Sequence, residues 1–303
     1  MELFEKNERL GELLRDLGSV VVAFSAGIDS TFVLARAVEE LGENVLAVTA
    51  ASETFPDREL EEAIELAKKL GARHEVIHID EMADENFVAN TPHRCYFCKS
   101  GLYTNLIDVA ASRDIPWIVD GANMDDLGDY RPGRKAAKEH NVRSVLQEAG
   151  LYKEELRELA RQMGLPNWDK PSFACLSSRI PYGTKITLDK IHQLDEGEQA
   201  LRDMGFRQLR IRHHEKIARL EVPRTEFARV LERADEITQV LKAQGFTYVT
   251  LDLQGYRSGS MNETLVKTGS TNESHASHAG GINMSGRDDA GHLAGGSDAG
   301  GLS

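Results

Sequence analysis

The sequence predicts an α/β protein: a doubly wound parallel sheet followed by a smaller α+β unit. Three observations carry this. Short apolar, β-branched runs alternate with helix-spaced segments from Val20 to Asp120, the pattern of buried parallel strands with crossover helices. Near residue 185 the texture changes to a long helix, two alternating runs, another helical stretch and a last strand. Beyond Ser258 the chain turns to Gly, Ser, Asn, His and Asp, with almost no large apolar side chain to offset the entropy of ordering. The boundaries drawn from these shifts are 1–184, 185–257 and a disordered tail over 258–303. His275, His278 and His292 are read as solvated tail residues without a metal role.

Each element has a local reason. Glu2 to Leu17 is an amphipathic opening helix, and Val20 to Phe24 a strand buried on both faces. Ile28 to Leu41 is helical, Asn44 to Ala50 a second strand, and Pro56 opens a helix that Gly71 closes. His74 to Ile79 is a third strand. Residues 82–98 break the alternation, with a helix expected from Lys99 to Ser112 and a fourth strand from Ile115 to Asp120. Gly128 to His140 reads as a mobile polar loop, Lys153 to Met163 as a helix, and Trp168 to Gly183 as irregular. The second unit is expected to run through Leu188–Met204 (helix), Arg207–His213 and Ala218–Val222 (strands), Pro223–Gln244 (helical) and Phe246–Leu253 (strand). In such a sheet a ligand binds at the carboxyl ends of the strands.

The 303 residues carry a net charge of −13, which argues against a broad nucleic-acid surface. No apolar run reaches the length of a membrane span, and the Glu-rich start does not resemble a signal peptide. Three cysteines do not make a secreted disulfide scaffold, so the cytoplasm is the expected compartment.

The first strand ends in Ser25-Ala26-Gly27-Ile28-Asp29-Ser30. Small residues between a strand and a helix N-terminus expose backbone N–H groups, and the helix dipole adds to their pull on an anion. The order is not that of the Lys-containing phosphate loop, and an ordinary strand–helix turn is the plain alternative. The stretch resembles the PP-loop of the ATP pyrophosphatase superfamily, written SGGxDS, with Ala26 in place of a glycine. The methyl is tolerable as long as that residue does not need a positive φ. The resemblance implies that Ser25, Ala26, Gly27, Asp29 and Ser30 bind ATP, which is cleaved between its α- and β-phosphates. Gly121, Asn123 and Asp125, after the fourth strand, stand where a Mg²⁺-bound triphosphate needs partners; a capped turn is the alternative.

Cys95 and Cys98 form a Cys-x-x-Cys pair, and Cys175 lies in the irregular stretch. One reading is a zinc half-site, with His93 as a further ligand and Cys175 in the core. The other brings all three thiolates to one iron–sulfur cubane, leaving one iron open to an extra sulfide. Beside an ATP-activating loop the second reading leads, since activation of an oxygen leaving group and delivery of sulfur are two halves of thiolation.

With the loop, Asp120-Gly121-Ala122-Asn123, the stretch Pro171–Gly183 and the small second unit, the chain is similar to the LarE family over roughly residues 5–262. The resemblance implies an ATP-dependent sulfur transferase of nickel-pincer cofactor biosynthesis, which adenylates a carboxylate of a pyridinium mononucleotide and leaves a thiocarboxylate. Family members either sacrifice the sulfur of a cysteine matching Cys175 or hold a [4Fe-4S] cluster on three cysteines. Cys95, Cys98 and Cys175 resemble the cluster type. ATP, Mg²⁺ held by Asp29 and Asp125, and the cluster with its extra sulfide are the implied cofactors. Arg210 and Arg212 match the family's phosphate-binding pair, with Lys99, Arg179 and Arg257 as further substrate contacts, although each alone also fits a solvated surface charge. Glu198 and Glu221 are read as orienting these arginines or assisting proton transfer. A homo-oligomer is expected, and no sulfide donor is identified. Three rivals stand beside this reading: a tRNA thiolase of the PP-loop type, an NAD or GMP synthetase-like ligase, and a nucleotide sensor without turnover.

Overall fold

The computed structural model describes residues 1–128, 132–171, 174–257 and 259–266. Helix α1 (Leu3–Leu17) lays Leu10, Leu14 and Leu17 against the core, and β1 (Val20–Ala23) leads through the loop to α2 (Ile28–Leu41). Next come β2 (Val45–Ala51), α3 (Asp57–Lys69, opened by Pro56) and β3 (Arg73–His78). One helical turn, α4 (Glu85–Val88), precedes the long α5 (Arg94–Ser112), which leads to β4 (Trp117–Val119). All four strands are parallel, in the order β3-β2-β1-β4. The order reverses between β1 and β4, which makes their carboxyl ends the crevice where such sheets bind ligands.

Helices α6 (Gly133–Glu139), α7 (Val145–Glu148) and α8 (Lys153–Gln162) complete this layer. The second unit contains α9 (Leu188–Asp203), β5 (Arg210–His214), β6 (Ile217–Glu221), α10 (Phe227–Glu232), α11 (Ala234–Ala243) and β7 (Tyr248–Leu251). Its three strands lie in the order β5-β6-β7, the first pair antiparallel and the second parallel. No helix among the described residues is long and apolar enough to cross a membrane.

Four expectations need correction. Helix α5 starts at Arg94 rather than Lys99, so Cys95 and Cys98 sit on its first turns and not in a loop. The segment expected as a mobile loop contains α6, whose Ala136 and Ala137 are buried against the layer; polar spacing hid two small core residues. The tail expected to be disordered over 258–303 has regular structure near its start. It continues through a 3-10 turn (Ser260–Asn262) into α12 (Glu263–Val266), and Ser260 is buried. The rest of the tail, with its three histidines, lies outside the described residues. Finally, the second core includes Phe87, Val88, Leu176 and Ile180, so the two units share apolar packing across the boundary drawn at residue 185.

Candidate active site

At the carboxyl end of β1 the chain turns through Ser25 and Ala26, and Gly27 caps α2. The first N–H groups of α2 have no intrahelical acceptor and face the crevice side of the sheet. The Ser30 hydroxyl ties the loop from within: it donates to the Gly27 carbonyl at 3.1 Å, accepts from the Ser25 N–H at 3.3 Å and lies 3.3 Å from the Ser25 hydroxyl. Ala26 has φ +53°, so the condition set for its tolerance is not met. Its left-handed turn is held from outside by Asn167, which donates to the Ala26 carbonyl (3.0 Å) and the Thr31 hydroxyl (2.9 Å). Lys170 reaches the same carbonyl at 3.4 Å while paired with Glu59 at 2.7 Å.

The end of β4 closes on this loop. A Cβ on Gly121 would stand 2.8 Å from the Ser30 nitrogen, so only glycine fits without moving backbone. Asn123 donates to Asp29 at 3.2 Å, and the Lys153 ammonium pairs with the same carboxylate. Asp125 accepts from the Lys153 backbone N–H at 2.7 Å, at the N-terminus of α8. The loop, Gly121, Asn123, Asp29 and Asp125 therefore converge. Lys153 is an addition: it opens α8 in sequence, and its charge beside Asp29 arises only in the fold.

The cysteines stand at the ends of the neighbouring strands. Cys95 and Cys98, one helical turn apart on α5, share a face; Cys175 precedes a 3-10 turn, Leu176–Arg179. All three are free and half-buried. Burial pushes the Cys95 thiol up, Arg94 pulls it back, and the charge of Cys175 raises it again. Cys98 is pushed well above its usual value by burial, then by Glu81 and by Cys175. Both thiols on α5 thus feel Cys175. Glu81, just past β3, accepts from Ser52 at 2.8 Å and Thr54 at 2.5 Å beyond β2, and the Leu176 N–H bonds the Thr54 carbonyl at 3.0 Å. Among the described residues no three His, Cys, Asp or Glu side chains are arranged to hold a metal ion. The donor set is nonetheless suited to a group that takes soft thiolates, because the cations of Arg94 and Lys99 act on the thiols.

Behind Cys175 lies a buried charge cluster. Arg179, 0% exposed, makes a bidentate pair with Glu198 at 2.9 Å and donates to the carbonyls of Ala174 and Cys175. All its nitrogens are engaged, so it positions the cysteine segment rather than opening to a substrate phosphate. Glu198 also accepts from Arg202 and the Ile211 N–H. Burial works to raise its pKa, but Arg179, Arg210 and Arg202 hold the carboxyl at about 2, which suits orientation and not proton transfer. Arg210 is pushed down to about 10 by burial and by repulsion from Arg179, and its guanidinium lies over the Tyr256 ring. Arg212 donates to Ser178 (2.8 Å), Glu221 (2.9 Å) and Ser260 (2.8 Å), with its Nε buried and unpartnered. Arg58, Lys170, Arg202, Arg207 and Arg210 line one cleft together with Glu59 and Glu62. Lys99 lies over the Tyr103 ring on α5, and Arg257 bonds Glu263 at the edge of the second unit, away from this cleft's lining.

Sequence reading missed Asn90. It adopts φ +51°, accepts from Arg94 at 2.6 Å, and donates to the carbonyls of Ile180, Pro181 and Thr184. This residue fastens the start of the cysteine helix to the stretch following Cys175. An Asn ahead of Thr-Pro was the available signal, because Asn tolerates the left-handed region.

Residues 10–95 match the family model described as NAD synthase. The chain is 45% identical over 266 residues to pyridinium-3,5-bisthiocarboxylic acid mononucleotide synthase of Lactiplantibacillus plantarum, which covers 88% of this chain and 96% of that protein. It is 42% identical over 267 residues to an uncharacterized protein of Synechocystis sp., over 88% of this chain and all of the relative. A Methanocaldococcus jannaschii protein, also uncharacterized, is 28% identical over 79% of this chain and 91% of its own length.

Proposed function

Because the chain belongs to the LarE family, that of pyridinium-3,5-bisthiocarboxylic acid mononucleotide synthase, we propose that it is an ATP-dependent sulfur transferase. In this reading it adenylates a carboxylate of pyridinium-3,5-biscarboxylic acid mononucleotide and converts it to a thiocarboxylate. The observation that supports it is the meeting of an anion loop and three thiols along the carboxyl edge of one parallel sheet, with Gly121 pressed against Ser30 and Leu176 bonded to Thr54.

The N–H groups at the start of α2 would hold the triphosphate, and Asp29 and Asp125 would hold its Mg²⁺. The substrate carboxylate attacks the α-phosphorus, the bond to pyrophosphate breaks, and an acyl adenylate forms. Sulfur attack on the acyl carbon then breaks its bond to AMP oxygen. Cys95, Cys98 and Cys175 would hold a [4Fe-4S] cluster, which would supply that sulfur at the sulfide level. Arg210 and Arg212 take the substrate phosphate; an anion at Arg210 relieves the repulsion that depresses its pKa. Arg179 and Asn90 fix the segments that carry the thiols. The second unit serves substrate binding and self-association, with Leu231, Tyr248 and Leu253 exposed on it.

Incubation with ATP and the carboxylated mononucleotide is expected to release pyrophosphate and AMP and to give a product with sulfur in place of one oxygen. Pyrophosphate release with tRNA and not with the mononucleotide would overturn the substrate. Iron and acid-labile sulfide in protein purified without oxygen, lost in Cys98→Ala, test the cluster. A chain that stays iron-free after reconstitution, and whose Cys175 loses H₂S on turnover, makes that cysteine a sacrificial donor.

A further inference from the structure

Arg94 is 2% exposed, and its partners set it apart from three other buried arginines. Arg36, Arg179 and Arg212 each pair with a carboxylate: Glu40, Glu198 and Glu221. Arg94 instead donates to the Asn90 amide oxygen (2.6 Å) and the Ser177 carbonyl (2.9 Å), approaches Cys95 Sγ at 3.9 Å, and lies over the Tyr182 ring. Among the described residues no carboxylate pairs with it. A buried cation without an anion is costly, and neutral oxygens offset only part of that cost. The groups near it that can carry negative charge are two sulfurs, Cys175 and Cys95, and after them the Tyr182 phenol. Burial works against its charge, yet Cys175, Cys95 and Tyr182 together outweigh that effect. Cys98, by contrast, interacts with Glu81, a carboxylate held by two hydroxyl donors. The site is polarised, with buried Arg94 toward Cys95 and Cys175 and Glu81 toward Cys98, while the weaker pull of Lys99 falls on Cys95 and Cys98 alike.

We propose that Arg94 is the fixed counter-cation of the three-cysteine site, holding negative charge, an incoming hydrosulfide included, on its Cys95–Cys175 side while Glu81 repels it from Cys98. The proposal deepens the sulfur-transfer reading and rests on it only for the hydrosulfide. It concerns positioning, because Arg94 acts through the sulfur atoms.

Iron-free full-length protein is alkylated with anionic iodoacetate and neutral iodoacetamide, and the rate ratio at each cysteine is read by peptide mass spectrometry. The iodoacetate preference at Cys95 and Cys175 is expected to exceed that at Cys98 by about five-fold, the scale of one charge at close range in water. Arg94→Gln should abolish the difference and Arg94→Lys retain it, although lysine cannot reproduce the paired hydrogen bonds. Glu81→Gln, away from α5, should raise the ratio at Cys98, and it carries the test if Arg94→Gln does not fold. Equal ratios at all three cysteines, or an unchanged pattern in Arg94→Gln and Glu81→Gln, overturn the proposal. In reconstituted protein, Arg94→Gln should lower the midpoint potential and weaken hydrosulfide binding, with Arg94→Lys restoring both. Failure of the wild-type chain to take up iron removes the cluster but leaves the alkylation result standing.

Discussion

The nucleotide loop meets charge with backbone N–H groups and one partly exposed ion pair, Lys153–Asp29, whereas the region behind Cys175 meets it with guanidiniums packed around the fully buried Glu198. The first arrangement is reached by water, so its ion pair can open and re-form at little cost. The second has all its partners fixed, so it holds one geometry and tolerates little loss. What differs is the cost of an unpaired charge: small where water screens it, large where none reaches.

The largest effect is expected at the buried end. Glu198→Ala strands Arg179 without a carboxylate and should destabilise by about 3–5 kcal/mol in urea unfolding. A loss below 1 kcal/mol would put the two regions in the same class. The pH dependence follows from the same carboxylate. Its pKa, about 2 in the fold against a usual 4.5, makes its stabilisation fully present above 4.5 and lost as the pH falls toward 2, roughly 3 kcal/mol by linkage. Glu198→Gln should flatten that limb of the stability–pH curve.

Gly121→Ala tests the contact between β4 and the loop. Its methyl must displace the Ser30 backbone, so a loss of about 1–3 kcal/mol and weaker ATP binding are expected, read by melting with and without nucleotide. Lys153→Met removes the cation that competes for Asp29. A surface pair of about 1 kcal/mol corresponds to a Mg²⁺ requirement about five-fold lower, measured as half-saturation of pyrophosphate release. Ala26→Gly should be nearly neutral, within about 0.5 kcal/mol. Relief of the left-handed backbone gains about 1 kcal/mol, while loss of a buried methyl and a freer unfolded chain cost about the same. That balance explains how the loop carries alanine.

The two regions also differ in how far the sequence disclosed them. The loop is six consecutive residues whose role follows from local chemistry, and its neighbours Gly121, Asn123 and Asp125 follow from the strand order. The parallel sheet was legible for the same reason, since each strand and helix carries its own period. Arg94, Asn90 and Asn167 gain their meaning from partners 83 to 141 residues away, which no local pattern encodes. Arg179 was legible as a basic residue near a cysteine, but its burial was not, so a positioning group read as a substrate contact. Ala26 shows the limit from the other side: a methyl is visible in sequence and the sign of its φ is not.

Ser260 has a practical bearing on where this chain can be cut. Composition alone would trim it after Arg257, discarding the Gly/Ser-rich segment as dispensable. That cut removes the hydroxyl 2.8 Å from Arg212 and leaves the guanidinium and Glu221 facing an open notch. A shortened protein made for crystals or calorimetry should therefore stop beyond Val266, because the earlier stop alters the pocket it was meant to display.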